Sequence, residues 1–307
     1  MKKLPAKIKK QLGILCDGPV LFDEPMAAWT SFRIGGPAQA IAAPLCVEFL
    51  QRLVSFLRTE GIPFFVMGKG TNLIVKDDGF RGCVISLRGF KRLESLKQEA
   101  GGQHLVFAEA GVYLPQLVKY AARSGISGLE FAAGIPGSVG GAIRMNAGSW
   151  GGEIKDRLQT ARILDAGGQI RDWDRQELFF SYRSLSLAKG NVILSGVFGL
   201  ETRDPESVAA AVTANLVRKR QTQPLRRPSA GSVFKNPVGT AAGKLIDMAG
   251  FKGLRRGQAM ISRKHANFIV NMGDATASDV IGLMEVVQRG VRDRFGIELE
   301  PEVEIFG

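Results

Sequence analysis

Two glycine-rich segments contain the residues needed to bind a phosphate group. GKGTN (68–72) directly follows an apolar run, and GIPGSVGGA (134–142) follows GLEFAA. Glycine adopts positive φ angles and lets backbone N–H groups approach a phosphate without a Cβ in the way. Neither segment has the full GxGxxG or GxxxxGK(S/T) spacing of the common nucleotide-binding loops. Two ordinary tight loops therefore remain the alternative to a binding site.

The second segment continues with apolar residues, which a flexible linker would not need. Residues 134–152 read GIPGSVGGAIRMNAGSWGG, in which seven positions are glycine and Arg144 is the only charge. Two glycine loops in one domain favour a diphosphate held between them. We then expect the apolar half to face a flat ring such as a flavin, whose diphosphate would bind the backbone amides.

A serine in PSAGSVFKNP (228–237) is a second candidate for chemistry. A lone serine is usually structural, and the hydroxyl of Ser232 is a poor acid unless a cation or a basic carbanion lies beside it. The two histidines, His104 and His265, and the absence of a GxSxG motif argue against a hydrolase triad. In FFSYRSLSL, Tyr182 beside Arg183 is equally compatible with surface packing.

The C-terminal segment IELEPEVEIF alternates between charged and apolar residues. Alternation predicts a strand with one polar and one apolar face. The polar face would carry Glu298, Glu300, Glu302 and Glu304, opposite Ile297, Leu299, Val303 and Ile305. A solvated face is the simplest interpretation, and periodicity cannot choose one catalytic glutamate among the four.

Composition limits the classes of function. The 307 residues allow two or three domains, and the chain has neither an apolar run long enough to span a membrane nor an export signal. Cys16, Cys46 and Cys83 are far apart, which predicts reduced cytoplasmic thiols and no metal site. The net charge of +12 is dispersed without a repeated basic–aromatic pattern. This favours a polyanionic small ligand over nucleic acid.

Helices and strands alternate in a way that predicts an α+β fold. FLQRLVSFLRTEG predicts a helix closed by Gly61, and Asp204-Pro205 predicts the start of a helix that runs through Arg220. A later helix should bury one stripe, formed by Val280, Leu283, Met284, Val287 and Val291. We expect a domain boundary near residue 200, between a nucleotide-sized module and a smaller α/β sandwich.

Taken together, these segments resemble one family. The motifs TSFRIGGPA, GKGTNLIV, GLEFAAGIPGSVGGAIRMNAG, SYRS, PSAGSVFKNP, AAGKLID, RKHANFIVN and LEPEVEI stand in the order found in UDP-N-acetylenolpyruvoylglucosamine reductases. These are the flavoenzymes, also called UDP-N-acetylmuramate dehydrogenases, of bacterial peptidoglycan synthesis. The resemblance runs from residue 30 to residue 307, and it is closest to the shorter, second type of the family.

The resemblance implies a particular domain organisation. Residues 28–200 would form an FAD-binding domain of the vanillyl-alcohol-oxidase (PCMH) type in two subdomains. Residues 201–307 would form a C-terminal α/β substrate-binding domain. Residues 1–27 would be a solvated, basic N-terminal arm. The expected protein is a cytoplasmic monomer that binds a small-molecule UDP-sugar, and neither nucleic acid nor membrane.

The resemblance also implies a reaction and three catalytic residues. NADPH, the co-substrate, reduces bound FAD, and the enolpyruvyl group of UDP-N-acetylglucosamine enolpyruvate then accepts hydride at C3. Arg183 would stabilise the negative charge that develops toward the carboxylate, and Glu302 would assist in polarising or protonating the intermediate. Ser232 would donate a proton to C2, where a carbanion-like carbon makes a weak acid sufficient.

Two further groups of residues are implied as ligand contacts. The expected FAD contacts are Ile34, Gly35, Gly36, Gly68, Lys69, Gly70, Thr71, Asn72, Leu73, Gly111, Gly134, Ile135, Pro136, Gly137, Ser138, Gly140, Gly141 and Ala142. The expected substrate contacts are Tyr182, Arg227, Asn236, Lys244 and His265.

The chain departs from the family pattern at two positions. Glu304 stands where the family more often has arginine, and we expect its charge to raise the pKa of a glutamate that shares its face. Leu185 stands where a serine is usual. The alternatives are a related flavoprotein with another substrate, which the AGSVFKNP block disfavours, and a basic nucleic-acid-binding protein without redox function.

Overall fold

The computed structural model describes residues 4–96 and 103–307. These residues form the following α-helices: α1 (Ala6–Ile14), α2 (Val47–Thr59), α3 (Leu114–Arg123), α4 (Val139–Arg144), α5 (Pro205–Thr222), α6 (Ala242–Met248) and α7 (Ala277–Phe295). No helix in this part of the chain is long and apolar enough to cross a membrane.

The strands form three main sheets and three short pairs. The first sheet has the order β1 (Val20–Pro25), β2 (Pro37–Ala42), β5 (Phe80–Ser86), β3 (Phe64–Met67). The second has the order β12 (Ile170–Asp174), β11 (Leu158–Leu164), β15 (Val192–Thr202), β7 (Gln103–Glu109), β6 (Leu93–Ser95), with β8 (Ile126–Ser127) also beside β15. The third has the order β16 (Arg255–Arg256), β17 (Ala259–Ile261), β18 (Ile269–Asn271). The pairs are β9 (Gly148–Ser149) with β10 (Gly152–Glu153), β13 (Phe180–Ser181) with β14 (Ser184–Leu185), and β4 (Leu73–Val75) with β19 (Glu304–Phe306).

The first sheet contains parallel pairs, β2 with β5 and β3 with β5. Parallel strands need a crossover connection, and α2 lies between β2 and β3 in the chain. The helix buries a stripe at helical spacing, formed by Leu50, Leu53, Val54 and Leu57. The predicted helix and its end near Gly61, which has a φ of 62°, are therefore confirmed.

The N-terminal segment belongs to this first layer and is not the solvated arm that we expected. The strand β1 pairs with β2 along the sheet edge. Leu12 of α1 is fully buried in the same core as α2. A solvated arm was predicted from the many lysines of this segment, but the lysines of α1 lie beside an apolar face that is buried.

The second sheet is antiparallel and packs against α3, α4 and α5. The helix α5 begins where predicted, since the Asp204 side chain accepts a hydrogen bond from the Ser207 N–H and Pro205 is the first helical residue. Leu216 of α5 contacts the core of the second sheet. The proposed domain boundary after residue 200 falls inside β15, so the division into residues 28–200 and 201–307 stays a prediction.

The third sheet and the helices α6 and α7 surround a separate core. The predicted stripe of α7 is buried throughout. Thr276 and Asp279 form a capping box at the start of α7, and Gly296 ends the helix with a φ of 68°.

The prediction of one continuous C-terminal strand is wrong. Only residues 304–306 form a strand, β19, which lies parallel to β4. Pro301 cannot donate a backbone hydrogen bond, and residues 300–302 instead run beside residues 233–235. Glu302 is largely buried, whereas Glu298, Glu300 and Glu304 are exposed, so the four glutamates do not share one face.

Candidate active site

A cavity of about 310 Å³ lies where the glycine segments, the β13–β14 hairpin and the C-terminal part of the chain meet. The three predicted catalytic residues, Arg183, Ser232 and Glu302, all line it. Of the predicted FAD contacts, it is lined by Gly68, Lys69, Gly70, Thr71, Asn72, Leu73, Ile135, Pro136, Gly137, Ser138, Gly141 and Ala142. The fold therefore brings most of the predicted site together.

The two glycine loops touch each other directly. A Cβ on Gly68 would overlap the Ser138 Oγ and would lie 2.7 Å from the Ser138 Cβ. The Thr71 hydroxyl donates a hydrogen bond of 3.4 Å to the Pro136 carbonyl. Glycine is thus required at position 68 by the close approach of the second loop, and the loops form one continuous wall.

The first loop presents backbone donors to the cavity. No hydrogen bond among the described residues uses the backbone N–H of residues 68–72 as donor. The loop is held from behind by Arg88, whose Nε donates to the Gly68 carbonyl (3.2 Å) and whose Nη2 donates to the Trp29 carbonyl (3.0 Å). Unused N–H groups beside cations form a site for an anion such as a diphosphate.

The charges near this loop are mainly positive. Burial, with Arg88 and Lys91 nearby, lowers the pKa of Lys69. The Lys69 ammonium lies 5.6 Å from the centre of the Tyr113 ring. Sequence analysis did not identify Arg88, because an arginine at the end of an apolar strand has no distinctive spacing.

The second glycine segment is half loop and half helix. The Ser138 Oγ accepts a long hydrogen bond, 3.4 Å, from the Gly141 N–H at the start of α4. Val139 and Ile143 are fully buried in the core of the second sheet. The expectation that the whole apolar half faces a ligand is therefore wrong for these two residues, whereas Ala142 does line the cavity.

A second cavity, of about 290 Å³, adjoins the first. The two share several lining residues, among them Gly68, Ser138 and Arg144, and the predicted contact Gly140 lines only the second. The two cavities therefore adjoin at residues of both glycine loops, and their combined space suits a dinucleotide better than a small compact ligand.

Five predicted FAD contacts line neither of the two cavities. Ile34 is buried in the core next to the third sheet. Gly35 packs on Val75 at the end of β4, and Gly36 packs on the segment after it, where an added Cβ would lie 2.7 Å from the Asp77 carbonyl carbon. Gly111 packs on the Phe90 carbonyl and Gly134 on the Lys219 side chain. The geometry gives these residues a packing function, and their assignment as FAD contacts stays a prediction.

Arg183 lies at the tip of the β13–β14 hairpin. Its φ of 57° is unusual for a residue other than glycine, and such strain often accompanies a functional position. The Arg183 Nε lies 3.3 Å from the Glu302 Oε1. That contact lacks hydrogen-bond alignment, so the buried Nε–H has no acceptor among the described residues.

The hairpin is fixed by the buried side chain of Asn146. The Asn146 Nδ2 donates to the Ser181 carbonyl (3.1 Å) and to the Glu153 Oε2 (2.9 Å), and its Oδ1 accepts from the Lys155 N–H (3.1 Å). Because Ser181 is two residues before Arg183, this amide holds the arginine in place. Sequence analysis missed Asn146, although it follows the glycine segment in MNAG.

The backbone of Glu302 is hydrogen-bonded both to the segment that follows Ser232 and to the first glycine loop. Its N–H donates to the Val233 carbonyl, and its carbonyl accepts from the Asn72 Nδ2 (2.9 Å). Burial raises the pKa of Glu302, and the charges of Arg183 and Lys235 partly offset that effect. The cause of the raised pKa is thus burial, and not the repulsion from Glu304 that we expected.

Ser232 lies on a segment with a rigid backbone. The next residues are fixed by Asn267, whose carbonyl accepts from the Val233 N–H and whose side chain pairs with both backbone groups of Phe234. The Ser232 hydroxyl makes no hydrogen bond to any described residue. It is therefore available to a ligand.

The predicted substrate contacts are absent from the lining of the main cavity. The Asn236 Oδ1 accepts a hydrogen bond from the Ala242 N–H at the start of α6 (3.0 Å). The His265 Nδ1 accepts from the Asn267 N–H, and burial lowers the pKa of His265. Arg227 and Lys244 are exposed, as is Tyr182 beside Arg183. These five assignments stay predictions.

Two family models match the chain. The model described as an FAD-binding domain matches residues 38–174. The model described as the C-terminal domain of UDP-N-acetylenolpyruvoylglucosamine reductase matches residues 223–306. The first range includes both glycine loops, and the second includes Ser232 and Glu302.

Curated relatives match almost the whole chain. UDP-N-acetylenolpyruvoylglucosamine reductase of Syntrophus aciditrophicus is 47% identical over 300 residues, which are 98% of this chain and 96% of that protein. The protein of the same name from Caldanaerobacter subterraneus is 42% identical over 301 residues, 98% of each.

A solved structure supports the same relationship. The crystal structure of UDP-N-acetylenolpyruvylglucosamine reductase from Thermus caldophilus is 36% identical and superposes with a TM-score of 0.79, covering 94% of this chain and 98% of that one. The predicted α+β class with an FAD-binding domain is therefore confirmed. The chain belongs to the UDP-N-acetylenolpyruvoylglucosamine reductase family.

Proposed function

We propose that the protein reduces the enolpyruvyl group of UDP-N-acetylglucosamine enolpyruvate to UDP-N-acetylmuramate, using bound FAD and NADPH, in peptidoglycan synthesis. The observation that carries this proposal is that Arg183, Ser232 and Glu302 all line the cavity that the glycine loops also line. The three residues come from distant segments of the chain, so local folding alone does not bring them together.

The residues present fit FAD. The N–H groups of residues 68–72 donate to no described residue and lie next to Lys69 and Arg88, which suits the diphosphate. The two adjoining cavities suit a dinucleotide. When FAD is bound, it supplies the two-electron chemistry that passes a hydride from NADPH to C3 of the enolpyruvyl group. The protein's own residues must then manage the charge and the proton.

Arg183 would stabilise the negative charge that spreads from C2 into the carboxylate. A guanidinium whose position is already fixed needs little reorganisation as that charge develops. The buried Nε–H of Arg183 has no acceptor among residues 4–96 and 103–307, and the hairpin that carries it is fixed through Asn146. Both features suit an arginine held ready for an anion.

Ser232 would donate the proton to C2, and its hydroxyl is free to do so. Glu302, next to Arg183, would assist in polarising or protonating the intermediate. Because burial raises the pKa of Glu302, a larger fraction of this carboxyl is protonated near neutral pH than in water, which suits an acid or a hydrogen-bond donor.

The finer properties of the protein belong to the same proposal. A nucleotide-sugar substrate and NADPH are both cytoplasmic metabolites, so we place the protein in the cytoplasm. The basic cleft would attract FAD, NADPH and the UDP-sugar through their diphosphates. We propose a monomer that binds neither nucleic acid nor membrane.

The test follows the nicotinamide and flavin absorbance of the purified holoprotein. We expect NADPH oxidation that depends on the enolpyruvyl sugar nucleotide. Ser232→Ala should leave the reduction of FAD by NADPH within about twofold of wild type, and should slow flavin reoxidation by the substrate at least about 100-fold. The matched control is Ser229→Ala, because the Ser229 side chain neither lines the cavity nor forms a hydrogen bond among the described residues.

Two outcomes would contradict the proposal. If a yellow protein shows no substrate-dependent loss of NADPH, the chain is a flavoprotein with another substrate. If Ser232→Ala slows both half-reactions equally, the serine is structural. A colourless preparation that takes up no FAD would instead favour a binding protein without redox function.

A further inference from the structure

Lys219, in the last turn of α5, is a buried lysine that sequence analysis did not identify. The residue is 4% exposed, and it lines the main cavity together with Arg183, Ser232 and Glu302. The aliphatic stem packs on Gly134, where an added Cβ would lie 3.1 Å from the Lys219 Cδ. The stem is therefore held against Gly134, and the residue forms part of the cavity wall.

The ammonium has no acceptor in the part of the chain that the structure describes. Neither the hydrogen bonds nor the ion pairs among the described residues include the Lys219 Nζ. Burial, together with the charge of Arg183, lowers the pKa of Lys219 to about 8. Since buried charges in folded proteins are normally paired, a cation left without a partner in a cavity indicates a bound anion.

The cavity as a whole has more positive than negative side chains. Its charged lining residues are Lys69, Arg144, Arg183 and Lys219 against Glu302 and Glu304. Among the described residues, only Glu302 lies within ion-pair distance of Arg183, through one oxygen at the Nε. The protein therefore offers Arg183 one carboxylate, and the described residues offer Lys219 none.

We propose that Lys219 binds the carboxylate of the enolpyruvyl group, on which Arg183 also acts. This inference rests on the proposed function and adds to it a substrate-binding residue. With two cations at one carboxylate, the enzyme would bind the enolpyruvyl sugar more tightly than a sugar nucleotide that lacks this group.

The carboxylate is a better partner for Lys219 than a diphosphate. The glycine loop at residues 68–72 already has its own cations, Lys69 and Arg88, for a diphosphate. The charge that influences Lys219 is that of Arg183, and Arg183 is the residue assigned to the carboxylate. Arg183 and Lys219 would therefore both bind the enolpyruvyl end of the substrate, where the reduction takes place.

The experiment compares two ligands and three variants of the oxidised holoprotein by titration calorimetry. The ligands are the enolpyruvyl sugar nucleotide and UDP-N-acetylglucosamine, which has the same diphosphate but no carboxylate. The variants are Lys219→Met, Lys219→Arg and Arg220→Met. The last is the matched control because it removes a positive charge from the neighbouring, exposed position of α5.

We expect Lys219→Met to weaken binding of the enolpyruvyl ligand by about 10- to 100-fold, the size of one lost charge-assisted hydrogen bond. Binding of UDP-N-acetylglucosamine should stay within twofold, and Lys219→Arg should restore part of the loss. Arg220→Met should bind both ligands like the wild type. The melting temperature and FAD content of Lys219→Met should not fall, because the variant replaces an unpaired buried charge with an apolar side chain.

Equal weakening of both ligands would overturn the proposal and place Lys219 at the diphosphate. Unchanged binding of both ligands would also overturn it, as would a fall in melting temperature that accounts for the lost affinity. If the wild-type protein binds the enolpyruvyl sugar no better than UDP-N-acetylglucosamine and does not reduce it, the proposed function itself fails, which is a separate result.

Discussion

Asn146→Asp is the most specific test of how the site is held together. The substitution keeps the shape of a fully buried side chain and keeps the oxygen that accepts from the Lys155 N–H. It replaces the Nδ2 donor with a second oxygen. That oxygen would face the Ser181 carbonyl and the Glu153 carboxylate, which now accept from the amide.

The cost can be worked out from the two lost donor bonds. The bond to the Ser181 carbonyl is worth about 1 kcal/mol, and the charge-assisted bond to Glu153 about 2 kcal/mol. The variant should therefore lose about 3 kcal/mol in the free energy of unfolding, which lowers the melting temperature by roughly 6–12 °C. Repulsion between the two carboxylates adds to this loss.

The loss should depend on pH. Repulsion from Glu153 raises the pKa of the new carboxyl in the folded state. A raised folded pKa stabilises the protein at low pH, and that stability is lost as pH rises through the folded value. The difference in melting temperature between variant and wild type should thus be smaller at pH 5 than at pH 8.

Scanning calorimetry at both pH values measures the effect, with Asn191→Asp as control. The Asn191 side chain only accepts, from the Ala166 N–H (2.9 Å), so the same substitution there should change the melting temperature little. In stopped-flow assays, Asn146→Asp should slow flavin reoxidation by substrate more than flavin reduction by NADPH, because Arg183 moves. Wild-type stability and kinetics in this variant would refute the reasoning.

Two further predictions concern the glycine loop and the buried glutamate. A Cβ at position 68 would lie 2.7 Å from the Ser138 Cβ, so Gly68→Ala should separate the loops and weaken FAD binding about 10- to 100-fold. Fluorescence titration of the apoprotein measures this, and Gly13→Ala, with no atom within 4 Å of the added Cβ, should bind FAD normally. The raised pKa of Glu302 favours the folded state below the ordinary value of 4.5, and this contribution is lost as pH rises through the folded pKa. Urea titrations should therefore show the stability of the wild type relative to Glu302→Gln falling between pH 4 and pH 7.5, and a difference that is constant or rises with pH would contradict this.

Strong local signals were sufficient to predict much of the fold. The stripe of α7 and the Asp204 cap of α5 depend on residues within one element, and both were predicted at the right positions. The N-terminal segment was not, because whether a basic amphipathic helix is solvated depends on a distant surface that covers its apolar side. In this protein the core around Leu12 provides that surface.

The C-terminal glutamates show why the site itself could not be derived from periodicity. A period of two assigns all four to the same face, yet Glu302 is largely buried whereas the other three are exposed. The reason is two pairings that no local pattern encodes: the Glu302 N–H binds the Val233 carbonyl, and the Asn72 side chain binds the Glu302 carbonyl. The order of family motifs identified the residue where periodicity could not.

The site depends on a long-range contact between the C-terminal segment and the first glycine loop. The parallel pair of β4 and β19 joins the C-terminus to the strand that follows the first glycine loop, and this contact places Glu302 beside the loop at residues 68–72. The free amides of that loop and the buried cations Arg183 and Lys219 then face one space. A sequence can specify each of these groups separately, but their proximity follows only from long-range pairing. Residues such as Lys219, which act through position and lack a motif, are therefore found from the structure alone.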